Sequence, residues 1–218
     1  MDIASYIDHT LLRPVATAEE ILRLCDEAME YDFYAVCVNS CWVKLCTDRL
    51  KNYPVHIAST VGFPLGAMST QSKISEAVLA VKDGADEIDM VINLGELRSG
   101  NFKAVETEIR EIKKAIGNRI LKVIIETCYL KKEEIEKATD LACIAGSEFV
   151  KTSTGFGNGG ATLEDILVMK AISSGRAKLK ASGGIKDFET AMLYIKNGVQ
   201  RIGTSSGVEI MKQALSKL

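Results

Sequence analysis

Short apolar or β-branched runs alternate with longer amphipathic stretches along the whole chain, eight of each. No other feature restricts the fold as much. Strand-like runs separated by helical patterns of a dozen or so residues are parallel strands joined by helical crossovers. The strand candidates are Ile7–Thr10, Ala35–Asn39, His56–Val61, Glu87–Ile92, Leu121–Glu126, Ser147–Lys151, Lys178–Ala181 and Arg201–Thr204. Helices are expected over Thr17–Glu30, Cys41–Leu50, Thr70–Lys82, Phe102–Ile116, Lys132–Ala145, Leu163–Ser173, Phe188–Lys196 and Val208–Leu215. In the first of these, Ile21, Leu24, Cys25, Ala28 and Met29 recur at helical spacing. Thr17 with Glu20 reads as a capping box, and Thr162 with Asp165 as a looser one. Gly84, Gly117, Gly146, Gly175 and Gly198 stand where helices should end.

Eight such units in 218 residues give about 27 residues each, a natural length for a β-α repeat. The strands are apolar on both faces, as strands covered by helices must be. A doubly wound open sheet fits the alternation as well. However, the first βα turn, Arg13-Pro14-Val15-Ala16, carries no glycine fingerprint for a dinucleotide, and a count of eight favours closure. The expected fold class is α/β, a single-domain (β/α)8 TIM barrel over residues 1–218, without linker or low-complexity segment.

Charge narrows the function classes. The net charge of −2, from 27 basic and 29 acidic residues without a like-charge block, gives no compositional case for nucleic acid or an anionic membrane as partner. The amino end lacks a basic n-region and apolar h-region, and no apolar run reaches bilayer length, so a cytoplasmic location is expected. Six cysteines, Cys25, Cys37, Cys41, Cys46, Cys128 and Cys143, form no C-x-x-C pair and are expected reduced. The two histidines, His9 and His56, lie far apart, which argues against a metal-dependent mechanism.

In this fold the active site opens at the carboxyl ends of the strands, so ionisable residues aimed there are the ones to weigh. In Glu87-Ile88-Asp89-Met90-Val91-Ile92, alternation turns Ile88, Met90 and Ile92 towards the helices and Glu87, Asp89 and Val91 into the barrel. A carboxylate there costs free energy unless paired, and a purely structural ion pair is the simpler reading of Asp89 alone. In Phe149-Val150-Lys151, Val150 faces the helices and Lys151 points inward; in Lys178-Leu179-Lys180, so does Lys180. Adjacent strands lie about 4.8 Å apart, so the two amines should be neighbours. Like charge and desolvation both lower a lysine pKa, which supplies the free amine that an imine-forming nucleophile needs. Either lysine alone reads as an ion-pair partner; both together, with Asp89 across the barrel, point to catalysis.

The last strands are followed by Ser182-Gly183-Gly184 and Gly203-Thr204-Ser205-Ser206-Gly207, glycine-rich loops leading into helices. Their N–H groups and the helix amino termini suit an anion, where barrel enzymes commonly bind phosphate. Glycines also serve tight strand-to-helix turns, the plainer reading. Thr154-Gly155 offers a third edge, and Asn158-Gly159-Gly160 is expected to form a mobile loop above it.

Six segments bring in a resemblance: Ile7-Asp8-His9-Thr10-Leu11-Leu12-Arg13-Pro14, Val61-Gly62-Phe63-Pro64-Leu65-Gly66, Gly84-Ala85-Asp86-Glu87-Ile88-Asp89-Met90-Val91, Phe149-Val150-Lys151-Thr152-Ser153-Thr154-Gly155-Phe156-Gly157, Lys180-Ala181-Ser182-Gly183-Gly184-Ile185 and Arg201-Ile202-Gly203-Thr204-Ser205-Ser206-Gly207. Together they resemble the deoxyribose-phosphate aldolase family, in order, from about residue 3 to the carboxyl end. The resemblance implies reversible cleavage of 2-deoxy-D-ribose 5-phosphate to D-glyceraldehyde 3-phosphate and acetaldehyde. It implies neither metal nor organic cofactor, and a homodimer. It places the imine-forming lysine on Lys151, the second lysine on Lys180 and the aspartate on Asp89, which works with a water and Lys180 as a proton relay. Phosphate contacts fall on Gly155, Gly183, Gly184, Gly203, Ser205 and Ser206, and supporting positions on Asp8 and Cys37. Cys37 reads more readily as an ordinary buried thiol. Two departures stand out: Asn39-Ser40 where relatives often have Asn-Pro, and Asp32 where a helix-ending glycine is common. The competing readings are a Schiff-base aldolase or transaldolase for another sugar phosphate, and a non-catalytic phosphosugar-binding barrel.

Overall fold

The computed structural model describes residues 2–217; Met1 and Leu218, the two ends of the expected 1–218 span, lie outside the described residues. Eight parallel strands close into a barrel in chain order: β1 (Ile7–Leu11), β2 (Ala35–Asn39), β3 (His56–Val61), β4 (Glu87–Val91), β5 (Ile120–Ile124), β6 (Phe149–Lys151), β7 (Lys178–Ser182) and β8 (Arg201–Thr204). The closing seam pairs Ile7, Asp8 and His9 with Ile202, Gly203 and Thr204. The open-sheet alternative is thereby excluded.

The described helices are α1 (Ala18–Glu30), α2 (Val43–Leu50), α3 (Thr70–Asp83), α4 (Leu94–Arg98), α5 (Phe102–Ile116), α6 (Lys132–Ile144), α7 (Leu163–Ser173), α8 (Phe188–Lys196) and α9 (Gly207–Leu215). The Thr17–Glu20 capping box is present, Thr162 caps α7 through the Asp165 N–H, and Gly84 ends α3 in the left-handed region at φ 114°. Helix α4 was not expected. It is five residues long, too short to show a period, and is nucleated by Asn93, whose side chain accepts from the Glu96 N–H at 3.1 Å. Asp32 adopts φ 52°, which explains why glycine suits that position.

Alternation divides each strand between two environments. Ile88, Met90, Leu121, Val123, Val150, Leu179 and Ile202 are fully or almost fully buried against the helical layer, with Ile109 and Ile112 of α5 in the same core. Burying each such side chain is worth roughly 1.5–3 kcal/mol, so this annulus is a large favourable contribution to folding. The opposite strand faces fill the barrel with Asp8, Glu87, Asp89, Lys122, Lys151, Lys180 and Arg201, all buried. The foot of the barrel is plugged by Arg201 stacked on the Tyr34 ring at 3.4 Å to its centroid, with Phe149 beside it. Among the described residues no helix is long and apolar enough to cross a membrane.

Candidate active site

The site is built on strand ends, where helical and sheet packing hold each side chain in register. Lys151 and Lys180 are register partners across β6 and β7. Both donate to the same oxygen, Oδ2 of Asp89, at 2.7 Å each. The other oxygen of Asp89, Oδ1, accepts from Lys122 at 2.6 Å. Lys180 also donates to Oδ2 of Asp8, whose Oδ1 accepts from Arg201 at 2.8 Å. Below them Glu87 Oε2 lies 2.5 Å from Lys122 Nζ and 3.1 Å from Arg201.

These contacts set the two lysines apart. Burial pushes Lys151 below its ordinary value; Asp89 opposes that, and the positive charge of Lys180 reinforces it. Burial acts on Lys180 in the same sense, but Asp8 and Asp89 outweigh it and hold Lys180 above its ordinary value. The lysine pair expected to be jointly lowered is therefore asymmetric: one member inclined to shed its proton, the other fixed as a cation. Burial favours protonation of Asp89, yet Lys122, Lys151 and Lys180 hold it well below the usual carboxylate range. The Cys37 thiol is fully buried and pushed up by burial, which fits an inert side chain.

Above Lys151 opens a cavity of about 410 Å³ lined by Lys151, Gly155, Gly183, Gly184, Gly203 and Ser205 of the expected site residues. Arg13, Phe156 and Lys186 line it as well. Asp89, Lys180, Asp8 and Cys37 lie beneath the floor, fully buried. Ser206 does not line the cavity; it is the N-cap residue of α9. The two helix amino termini differ. That of α8 is occupied by Asp187, which accepts from the Thr190 N–H at 2.8 Å, so the expected helix contribution at Ser182-Gly183-Gly184 is already taken. Helix α9 has no side-chain cap, and its first N–H groups remain available to an anion.

The loop after β6 is held by a residue the sequence reading passed over. Glu126, almost fully buried, accepts from the Thr154 N–H at 3.2 Å and from the Thr154 hydroxyl. It does so in the left-handed region, at φ 50° and ψ 65°, strain of the kind that collects at functional sites. The far end of the Asn158-Gly159-Gly160 segment is also fastened: the Ala161 N–H donates to the carbonyls of Ser182 and Gly183 at 3.1 and 3.2 Å.

Residues 3–213, nearly the whole chain, match the family described as DeoC/LacD family aldolase. The chain belongs to the DeoC/LacD family of aldolases. A relative from Thermococcus gammatolerans named deoxyribose-phosphate aldolase is 53% identical over 218 residues, covering 98% of this chain and 97% of its own. A relative of the same name from Clostridium botulinum is 53% identical over 212 residues, 97% of this chain and all of its own. The solved aldolase QR15 superimposes with a TM-score of 0.96 at 43% identity, over 100% of this chain and 97% of that one. The deoxyribose phosphate aldolase of Aeropyrum pernix, described as a unique tetramer, reaches 0.92 at 31% identity over 99% of this chain and 92% of its own.

In this DeoC/LacD aldolase two further charged residues, Lys122 and Arg201, reach the barrel interior without having been singled out. The signal was present: Lys122 lies between Leu121 and Val123 on β5, and the alternation that turns Lys151 inward turns Lys122 inward too. Arg201 precedes Ile202 on β8 in the same way.

Proposed function

We propose that the protein is a class I aldolase, its span of 1–218 one catalytic domain, that reversibly cleaves 2-deoxy-D-ribose 5-phosphate to D-glyceraldehyde 3-phosphate and acetaldehyde. The observation that carries this reading is the position of Lys151. Its amine is the group at the cavity floor whose burial, reinforced by the charge of Lys180, favours loss of a proton against the pull of Asp89, and it sits beside an ionised carboxylate and a fixed ammonium. Curated relatives of nearly the same length and about half the same residues carry the matching name.

On this reading Lys151 attacks the C1 aldehyde of the open-chain sugar, and loss of water gives an iminium. Removal of the C3 hydroxyl proton breaks the C2–C3 bond, and its electron pair passes into the iminium as an enamine. D-Glyceraldehyde 3-phosphate departs. Protonation of the enamine at C2 and hydrolysis return Lys151 and release acetaldehyde. Asp89 and Lys180, working through a water, are suited to the proton transfers because one is a strong acceptor and the other a retained donor. Gly155, Gly183, Gly184, Gly203, Ser205 and the uncapped start of α9 at Ser206 are suited to the phosphate. Binding energy taken there fixes the sugar over Lys151 without touching the reacting bonds. Asp8 and Cys37 support Lys180 from below. The six free thiols fit a reducing compartment, and the cytoplasm is the proposed location. A homodimer is the proposed assembly, against the tetramer of the Aeropyrum pernix relative; sedimentation at working concentration distinguishes them.

The test is release of D-glyceraldehyde 3-phosphate from 2-deoxy-D-ribose 5-phosphate, with acetaldehyde compared against dihydroxyacetone-type donors in the reverse direction. Turnover of the deoxy sugar with a preference for acetaldehyde is expected. Preference for the other donors would move the reaction to another sugar phosphate, and tight binding without turnover would make the protein a binding barrel.

A further inference from the structure

The charged groups beneath the cavity form a closed ring. Asp89 contacts Lys122 at 2.6 Å, Lys122 contacts Glu87 at 2.5 Å, Glu87 contacts Arg201 at 3.1 Å, Arg201 contacts Asp8 at 2.8 Å, Asp8 contacts Lys180, and Lys180 returns to Asp89 at 2.7 Å. Signs alternate around it: three carboxylates, three cations. Lys151 is attached to the ring at Asp89 Oδ2 and is the seventh charged side chain. With Lys151 as a free amine the cluster is neutral; with Lys151 protonated it carries one uncompensated charge on buried side chains, where charge is expensive.

No member of the ring lines the cavity, and among the described residues Glu87, Lys122 and Arg201 make no ion pair with Lys151 either. Stability does not account for them, because a buried ion cluster is commonly matched or bettered by apolar residues of the same volume. Their hydrogen bonding is also incomplete, with Glu87 Oε1 and Arg201 Nε lacking partners among the described residues. We propose that Glu87, Lys122 and Arg201 are positioning residues that close the ring at zero net charge, so that Lys151 is the member that gives up its proton. Asp89 is thereby left with one oxygen for Lys122 and the other for the reaction.

The remaining titratable groups near Lys151 do not upset this balance. Cys37 on β2 is buried and its thiol pushed up; Glu126 beyond β5 is bound to Thr154. At the foot, His56 on β3 lies 3.6 Å from its own partner Asp86, Lys178 on β7 is exposed, and Tyr34 stacks on Arg201. Arg13 and Lys186 at the cavity mouth are exposed to solvent.

This inference rests on Lys151 forming the imine, and the experiment separates the two. The rate of borohydride trapping with acetaldehyde is followed against pH, the adduct being located by peptide mass spectrometry. Lys122→Met leaves the ring one negative charge in excess, which a proton on Lys151 would cancel. The acid limb of its profile should move up by on the order of one pH unit, about a tenfold loss of free amine on that limb. Glu87→Gln, nearly isosteric, should move the limb down by a similar amount. Lys122→Met combined with Glu87→Gln should return it to the wild-type position. Opposite single shifts that cancel in the double variant would establish the ring's role. Shifts in the same direction, or none, would overturn it, and Glu87→Gln alone decides should Lys122→Met fail to fold. Wild-type protein that forms no adduct on Lys151 would overturn the aldolase reading instead.

Discussion

Lys151 and Lys180 share one carboxylate oxygen yet differ in proton affinity, because Asp8 attends only Lys180. Two predictions follow from that division of labour. Lys151→Leu removes the nucleophile but leaves Asp89 with Lys122 and Lys180, so the fold should persist with turnover of the deoxy sugar phosphate reduced to background. Circular dichroism and a product assay on the same preparation check both halves. Lys180→Leu removes the cation that helps hold Lys151 down, so the acid limb of imine formation should move to higher pH. A shift to lower pH would contradict the like-charge contribution. At this scale the sequence was informative wherever a period of two could be applied, which is how Asp89, Lys151 and Lys180 emerged without a structure. Lys122, between Leu121 and Val123, obeys the same rule. What alternation cannot supply is which oxygen meets which cation, since the partners of Asp8 and Asp89 come from strands up to 193 positions away.

Two elements shape the site from outside the barrel. The first is the segment after β6, where Gly160 is pressed against Gly183 so closely that an added Cβ would stand 2.1 Å from the Gly183 carbonyl oxygen. Gly160→Ala must therefore displace the Gly183-Gly184 turn; KM for the phosphorylated substrate should rise several-fold, with a smaller effect on the rate of acetaldehyde trapping at Lys151. An unchanged KM would show that this turn does not hold the phosphate. The second is the junction of α3 and α5, where Lys73 and Glu108 form a fully enclosed pair at 2.8 Å, and Lys73 also donates to the Val91 carbonyl at 2.8 Å. Lys73→Met leaves Glu108 buried and unpaired, which should cost about 3–5 kcal/mol in denaturant unfolding, while adding Glu108→Gln should recover much of the loss. Capping boxes made the starts of α1 and α7 legible, and helix-ending glycines the ends of α3, α5, α6, α7 and α8. Helix α4 and the left-handed turn at Glu126 were not, because α4 rests on a local side-chain cap and Glu126 on Thr154 from a different loop, and neither shows as a period.

For the whole molecule, closure was legible from the count of strands, whereas assembly depends on a surface pattern that no repeat encodes. The buried cluster also predicts how stability responds to pH. Asp8 and Asp89 are held below the ordinary carboxylate value, so their contribution is complete above about pH 4 and fades as pH falls below it. Lys122 and Lys180 are held above the ordinary lysine value, so theirs is complete below about pH 10 and fades as pH rises further. Thermal unfolding should accordingly show stability falling away on both sides of that window and, within it, rising towards the basic side, where the lowered Lys151 has shed its proton; a loss on one side only would contradict the charge cluster as drawn. The central claim is that a neutral ring of buried ion pairs presents Lys151 to the cavity as an imine-forming amine. Borohydride reduction in the presence of acetaldehyde, followed by peptide mass spectrometry, tests it most directly. A single two-carbon adduct on Lys151, absent from Lys151→Leu, is the predicted result. Adducts only on other lysines, or none from protein that binds sugar phosphate, would contradict it.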